Sequence, residues 1–263
     1  MTSKSNQRIA SRVSSVARRL RSQLLDSASR VTQIGQLLRG ELPPPYAFVQ
    51  ADVLGNLASY IGVAPERISR IVIVGAWHGE EIAQMLSEWG SASIVAFEPS
   101  REAFEVLETN FADVPRVTCV NRAVSDRNGM ATFREMSVAG NGSLLPLAEE
   151  DDETVIVDGM HQTDIYEVPT VSLGEFPLLD DDRPINCLWV DVQGLERLVL
   201  EGCGQLLSRT DAAFVEVATT GVTYDGGARF LGLFEFMDSN GFRLASLGTN
   251  PITGQGNALW VRR

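Results

Sequence analysis

From residue 68 onward, short continuous apolar runs alternate with stretches in which apolar residues recur every three or four positions. Ile71-Val72-Ile73-Val74 is a β-branched run of the kind that a strand buried on both faces requires. Ile82, Met85, Leu86 and Trp89 follow at helical spacing within 79–89. The same alternation predicts strands at 93–97, 117–120, 187–191 and 212–217, and helices at 101–111, 194–207 and 227–240. Residues 243–247 and 257–261 suit a closing hairpin. Repeated strand–helix units imply an α/β fold with a mostly parallel sheet and helices on both faces.

Two regions break this rhythm. Residues 122–170 hold short strand-like pieces (130–135, 154–157, 166–171) and an acidic stretch at 149–153, and read as an insertion near the active face. Residues 6–39 carry an amphipathic stripe, Ile9, Val13, Val16 and Leu20, resumed after a one-step slip by Leu24, Val31, Ile34 and Leu38. Eight Lys and Arg residues against the single acid Asp26 make residues 1–40 basic. That stripe suits a homo-oligomeric coiled coil, a peripheral contact with an anionic membrane, or packing on the main domain. Pro43-Pro44-Pro45 ends it. The expected organisation is therefore an N-terminal helix over 1–42, a helical lead-in over 43–67, and the main domain over 68–263.

Bulk composition narrows the function. The chain has 263 residues and a net charge of −12, which disfavours nucleic acid as the main partner. No apolar run approaches the roughly 20 residues that span a bilayer. The N-terminus is too polar for a secretory signal. Cys119, Cys187 and Cys203 show no metal-ligand spacing and read as reduced packing residues. These features predict a cytoplasmic protein. With two histidines in all, His78 and His161, a multi-histidine metal site is nearly excluded.

The chemistry concentrates at the ends of the predicted strands. Gly75-Ala76-Trp77-His78-Gly79 lies where the first strand turns into the first helix, and glycine there lets backbone approach a ligand closely. Glu98 ends the second strand, about 20 residues on, where an acid can accept hydrogen bonds from both hydroxyls of a ribose. The glycine spacing is not the G-x-G-x-x-G that holds a pyrophosphate, and Glu80-Glu81 would repel phosphate. A nucleoside cofactor with a cationic centre fits better, and S-adenosylmethionine has one in its sulfonium.

These pieces, with others in the same order, resemble the FkbM family of methyltransferases. The resemblance is carried by Val74-Gly75-Ala76-x-x-Gly79, Ala96-Phe97-Glu98-Pro99, Leu107-x-x-Asn110 and Ala123-Val124-Ser125-Asp126-x-x-Gly129. It continues through Val168-x-Thr170-Val171-Ser172-Leu173, Val190-Asp191-Val192-Gln193-Gly194-x-Glu196 and Phe214-Val215-Glu216. It implies a Rossmann-like class I methyltransferase with a seven-stranded sheet, and O-methylation of a sugar, glycan or glycosylated metabolite. It assigns Gly75, Ala76 and Gly79 to the methionine end of S-adenosylmethionine, Glu98 to the ribose with Pro99 beside it at the cofactor, and Ser125 and Asp126 to the adenine; Trp77 is expected to wall the cofactor pocket or to pack on a neighbour. Asp191 is the first candidate for the base or acceptor-orienting group, or alternatively contacts the cofactor amino group; Glu216, Glu196 and His161 follow. The chain departs from the family at Ile73, where an acid is usual, at Trp77 in place of Asn, and at Gln193 in place of Glu. Those departures leave a second reading open, a non-catalytic methyltransferase-like scaffold. Asp191, Glu196 and Glu216 could gather round a hard cation, but such acids are ordinary at strand ends of this fold, and no metal is expected.

Overall fold

The computed structural model describes residues 45–149, 159–250 and 253–263. The amphipathic stripe of 6–39, the strand-like piece at 154–157 and most of the acidic stretch lie outside these residues. Helix α1 (Pro45–Ile61) and a 3-10 turn at Pro65–Arg67 lead into the main domain. There follow β1 (Arg70–Val74), α2 (Glu80–Glu88), β2 (Ser93–Phe97), α3 (Arg101–Phe111) and β3 (Val117–Val120). An excursion from the main sheet follows, made of β4 (Ala123–Val124), β5 (Gly129–Met136) and β6 (Gln162–Val171). The main sheet resumes with β7 (Cys187–Val190), α4 (Glu196–Gly202), β8 (Ala212–Ala218), α5 (Phe230–Ser239), β9 (Phe242–Thr249) and β10 (Gln255–Arg262).

The seven-stranded sheet runs β3-β2-β1-β7-β8-β10-β9, with β10 antiparallel to both neighbours and the other pairings parallel. This is the class I methyltransferase arrangement, an α/β fold with helices on both faces. β1 is buried at every position. Its side chains alternate: Ile71 and Ile73 join the core beneath α1, α2 and α3, and Val72 and Val74 join the core beneath α4 and α5. A continuous β-branched run is the sequence record of that two-sided burial.

Strand register places the chemistry. Val74 pairs with Phe97 on one side and Val190 on the other. The residues that follow each strand, Gly75, Glu98 and Asp191, therefore emerge together at the carboxyl edge, where open α/β sheets bind ligands. The excursion forms a second sheet, β4-β6-β5, whose long β5–β6 hairpin stands over that edge. Among the described residues no helix is long and apolar enough to cross a membrane. The three cysteines are free, Cys187 and Cys203 buried and Cys119 half-buried.

Candidate active site

The carboxyl edge encloses a cavity of about 230 Å³. Gly75 makes its floor possible. Its φ is +82°, and a Cβ built on it would lie 1.7 Å from the carbonyl oxygen of Asp191. Three hydrogen bonds pin that crossing: the N–H groups of Gly75 and Ala76 both donate to Phe97 O at 3.0 Å, and Asp191 N–H donates to Val74 O at 2.9 Å.

Glu98 points towards the glycine bend. One carboxyl oxygen accepts from Trp77 N–H and the other from Ser100 N–H, each at 2.8 Å. The first bond holds Trp77 at a φ of 46°, a conformation that side-chain-bearing residues seldom adopt. Burial pushes the Glu98 carboxyl up to about 7, against the opposing pull of those two N–H groups. Each oxygen keeps a lone pair for a further donor. The indole of Trp77 stacks on His78 at 4.4 Å, and Trp77 is part of the cavity wall.

Asp191 is half-buried and lines the cavity; Glu216, on the adjacent strand β8, lines a smaller cavity of about 30 Å³ on the far side of Gln193. The Gln193 amide joins the acids, donating to Asp191 Oδ1 at 2.7 Å and to Glu216 Oε2 at 3.0 Å. Enclosure raises both carboxyls above their ordinary values, and mutual repulsion raises Glu216 further. Glu196 is buried and turned inward, accepting from Gly194 N–H at 3.0 Å and Val192 N–H at 3.3 Å. Burial brings Glu196 to about 7.

The structure thus brings together Gly75, Trp77, Glu98, Pro99 and Asp191 on one cavity. Other expected site residues sit elsewhere. Ala76 is buried in the core, and Gly79 caps α2 with its α-hydrogen face against Leu107 and Phe111. Ser125 and Asp126 are outside the lining: Ser125 N–H bonds Val171 O, and Asp126 pairs with Arg127 on the surface. The wall there is Arg122, Ala123 and Val124 instead. His161 is exposed, its ring bonded to Gly159 O at 3.0 Å, away from the lining.

The roof of the cavity has no local signature in the sequence. Phe133, Glu135, Ser143 and Leu144 come from the inserted hairpin and the turn after it. Glu135 is tied down by the Tyr166 hydroxyl, and Arg101 packs 4.2 Å over the Tyr166 ring. Tyr166, desolvated and donating to Glu135, is pushed up to about 12.

The lining selects a class of ligand. It carries the carboxyls of Glu80, Glu81, Glu98, Glu135 and Asp191, and among its described residues Arg122 is the single cation. The N–H groups of Gly75, Ala76, Trp77 and Gly79 are all bonded internally, so these four offer no nest for phosphate. Such a donor set fits a cation and repels a polyphosphate. It therefore suits the sulfonium and ammonium of S-adenosylmethionine, with Phe97, Phe133 and Leu144 supplying apolar wall.

A family profile described as the methyltransferase FkbM domain matches residues 74–244. The chain belongs to the FkbM methyltransferase family. No curated protein matches it. Among solved structures, it is similar to an FkbM methyltransferase from Methylobacillus flagellatus, with 14% identity and a TM-score of 0.48, over 73% of this chain and 43% of that one. The chain thus spans less than half of that relative's length. It is also similar to an O-methyltransferase family protein from Burkholderia thailandensis, with 10% identity and a TM-score of 0.42, over 81% of this chain and 58% of that one. An rRNA methylase from Streptococcus thermophilus matches at 9% identity and a TM-score of 0.44, over 84% of this chain and 98% of that one.

Proposed function

We propose that this FkbM-family chain is an S-adenosylmethionine-dependent O-methyltransferase acting on a hydroxyl of a sugar, glycan or glycosylated metabolite. The observation that carries the reading is the meeting of Gly75, Glu98 and Asp191 on one acidic cavity. S-adenosylmethionine, when bound, supplies a methyl group already activated on a sulfonium. The chain's own residues have simpler tasks. Glu98 accepts from ribose hydroxyls, and Gly75 leaves the room that a side chain would occupy. The surrounding carboxyls favour a cationic centre. The acceptor hydroxyl must give up a proton as it is methylated, and Asp191, one of the carboxyls lining the cavity, would take it.

A neutral polyol suits this cavity, because a phosphorylated acceptor would meet like charge at close range. Comparing glycans and metabolites from cells with and without the protein by mass spectrometry tests the acceptor. The expected difference is a species heavier by one methylene in the cells that contain it. Asp191→Asn is expected to lower turnover by about 10²–10⁴-fold while S-adenosylhomocysteine still binds, measured by calorimetry beside the kinetic assay. Turnover unchanged in that variant would remove Asp191 as the base.

We further propose that the amphipathic basic segment 1–42 drives self-association through its apolar stripe. Light scattering should show a smaller assembly when it is deleted. Unchanged mass with lost liposome binding would identify membrane contact instead.

A further inference from the structure

Gln193 forms the wall between the two cavities and lines both. Its backbone is left-handed, with φ 54°, which is uncommon outside glycine. Three contacts keep it there. The Ser143 hydroxyl donates to its carbonyl oxygen at 2.7 Å, and Ser143 is buried in the inserted arm. On either side, Val192 N–H and Gly194 N–H close on the carboxyl of Glu196. The loop is thus wound around one buried acid and braced by a residue 50 positions away. The strained backbone projects the carboxamide between Asp191 and Glu216, and its nitrogen spends one N–H on each.

We propose that Gln193 is a positioning residue that clamps Asp191 and Glu216 into a single unit carrying one proton and one negative charge, and that this unit, rather than Asp191 alone, serves the acceptor hydroxyl. The inference rests on the methyltransferase reading above. The geometry supplies the reason. Two ionised carboxylates bound to one amide nitrogen repel strongly in an enclosed site. Two neutral carboxyls would forgo the stabilisation that the two N–H donors give to charge. One proton on the pair satisfies both constraints. The side chains of Asp191 and Glu216 also interact directly, the one lowering and the other raising its partner. The titratable groups that face the pair are Glu81 from α2, Glu98 after β2, Glu196 at the start of α4, and Tyr224 beyond β8. The three carboxyls, when ionised, favour retention of the shared proton, and the Tyr224 phenol, which donates to Asn141 O, stays neutral.

Carboxyl carbon NMR of the full chain, titrated over pH, tests the clamp without turnover. In the native chain Asp191 and Glu216 should lose their protons in two well-separated steps. Gln193→Leu removes both donors, and the first step should move up by about one pH unit or more. Gln193→Glu preserves shape while removing the double donor, and should shift the same step in the same direction should the leucine variant not fold. A second readout is the ratio of S-adenosylmethionine to S-adenosylhomocysteine affinity. It should rise with pH through the first step and shift with it in the variants. Independent titration of the two acids in the native chain, or an unshifted first step in a folded variant, would overturn the clamp. Failure of the native chain to bind either ligand would instead sink the methyltransferase reading, with the NMR result still deciding the clamp.

Discussion

Alanine in place of Gly75 is expected to destabilise the chain by about 4 kcal/mol, a fall in melting temperature of roughly 10 °C, and to eliminate cofactor binding. The added Cβ would sit 1.7 Å from Asp191 O, an encounter of backbone with backbone that no side-chain rotation relieves. Neither partner is free to retreat. Gly75 and Ala76 are both bonded to Phe97 O, and Asp191 N–H is bonded to Val74 O. The φ of +82° adds strain for any residue with a side chain. Gly55→Ala supplies the control. Nothing lies within 4 Å of its added Cβ, and it falls within α1. That substitution should stabilise slightly, by about 0.5–1 kcal/mol. Circular dichroism melts of both variants, with calorimetry using S-adenosylhomocysteine, check the pair. A Gly75→Ala chain that melts like the native one would mean that the β1–β7 crossing has room for a Cβ, against the close approach of Asp191 O.

The second large effect concerns Glu98 and pH. Its folded-state value of about 7 lies above the ordinary 4.5, so the folded chain holds this proton more tightly than the unfolded chain does. The group's contribution to stability is therefore fully present below pH 4.5 and is lost as pH rises to about 7. Ligand binding works the other way. Ribose hydroxyls donate to the ionised carboxyl, so affinity should climb about tenfold per pH unit below 7 and level off above it. A proton should be released on binding near pH 6. Glu98→Gln should flatten that profile and weaken binding by about 10- to 100-fold. It also sets an amide N–H against Trp77 N–H or Ser100 N–H, each of which now has a carboxylate acceptor at 2.8 Å. Calorimetry in two buffers of different ionisation enthalpy measures the released proton. A pH-independent affinity in the native chain would contradict this role.

The parts of the fold that were legible are those written in local periodicity. Ile71–Val74 reads as a doubly buried strand because every one of its positions is buried. Once β1, β2 and β7 are recognised as parallel neighbours, Gly75, Glu98 and Asp191 must share an edge, so the heart of the site follows from strand ends alone. What was not legible depends on long-range pairing. Ser125 and Asp126 were expected at the adenine, but β4 pairs with β6 in a separate sheet and carries them away from the lining. Glu135 and Ser143 have no local signature, since their place on the cavity is set by the β5–β6 hairpin and by a hydrogen bond to Gln193 across 50 residues. The inward turn of Glu196 did leave a trace, an acid two residues after a glycine at a helix start, where unpaired N–H groups need an acceptor.

The central claim is that Glu98 and the glycine bend hold an adenosyl group at the carboxyl edge. Titrating the native chain and Glu98→Gln with S-adenosylhomocysteine by calorimetry at pH 8 tests it most directly. The native chain should show one site, and the variant an affinity at least about tenfold weaker. Equal affinity in both chains, or no heat from the native chain at millimolar ligand, would contradict it.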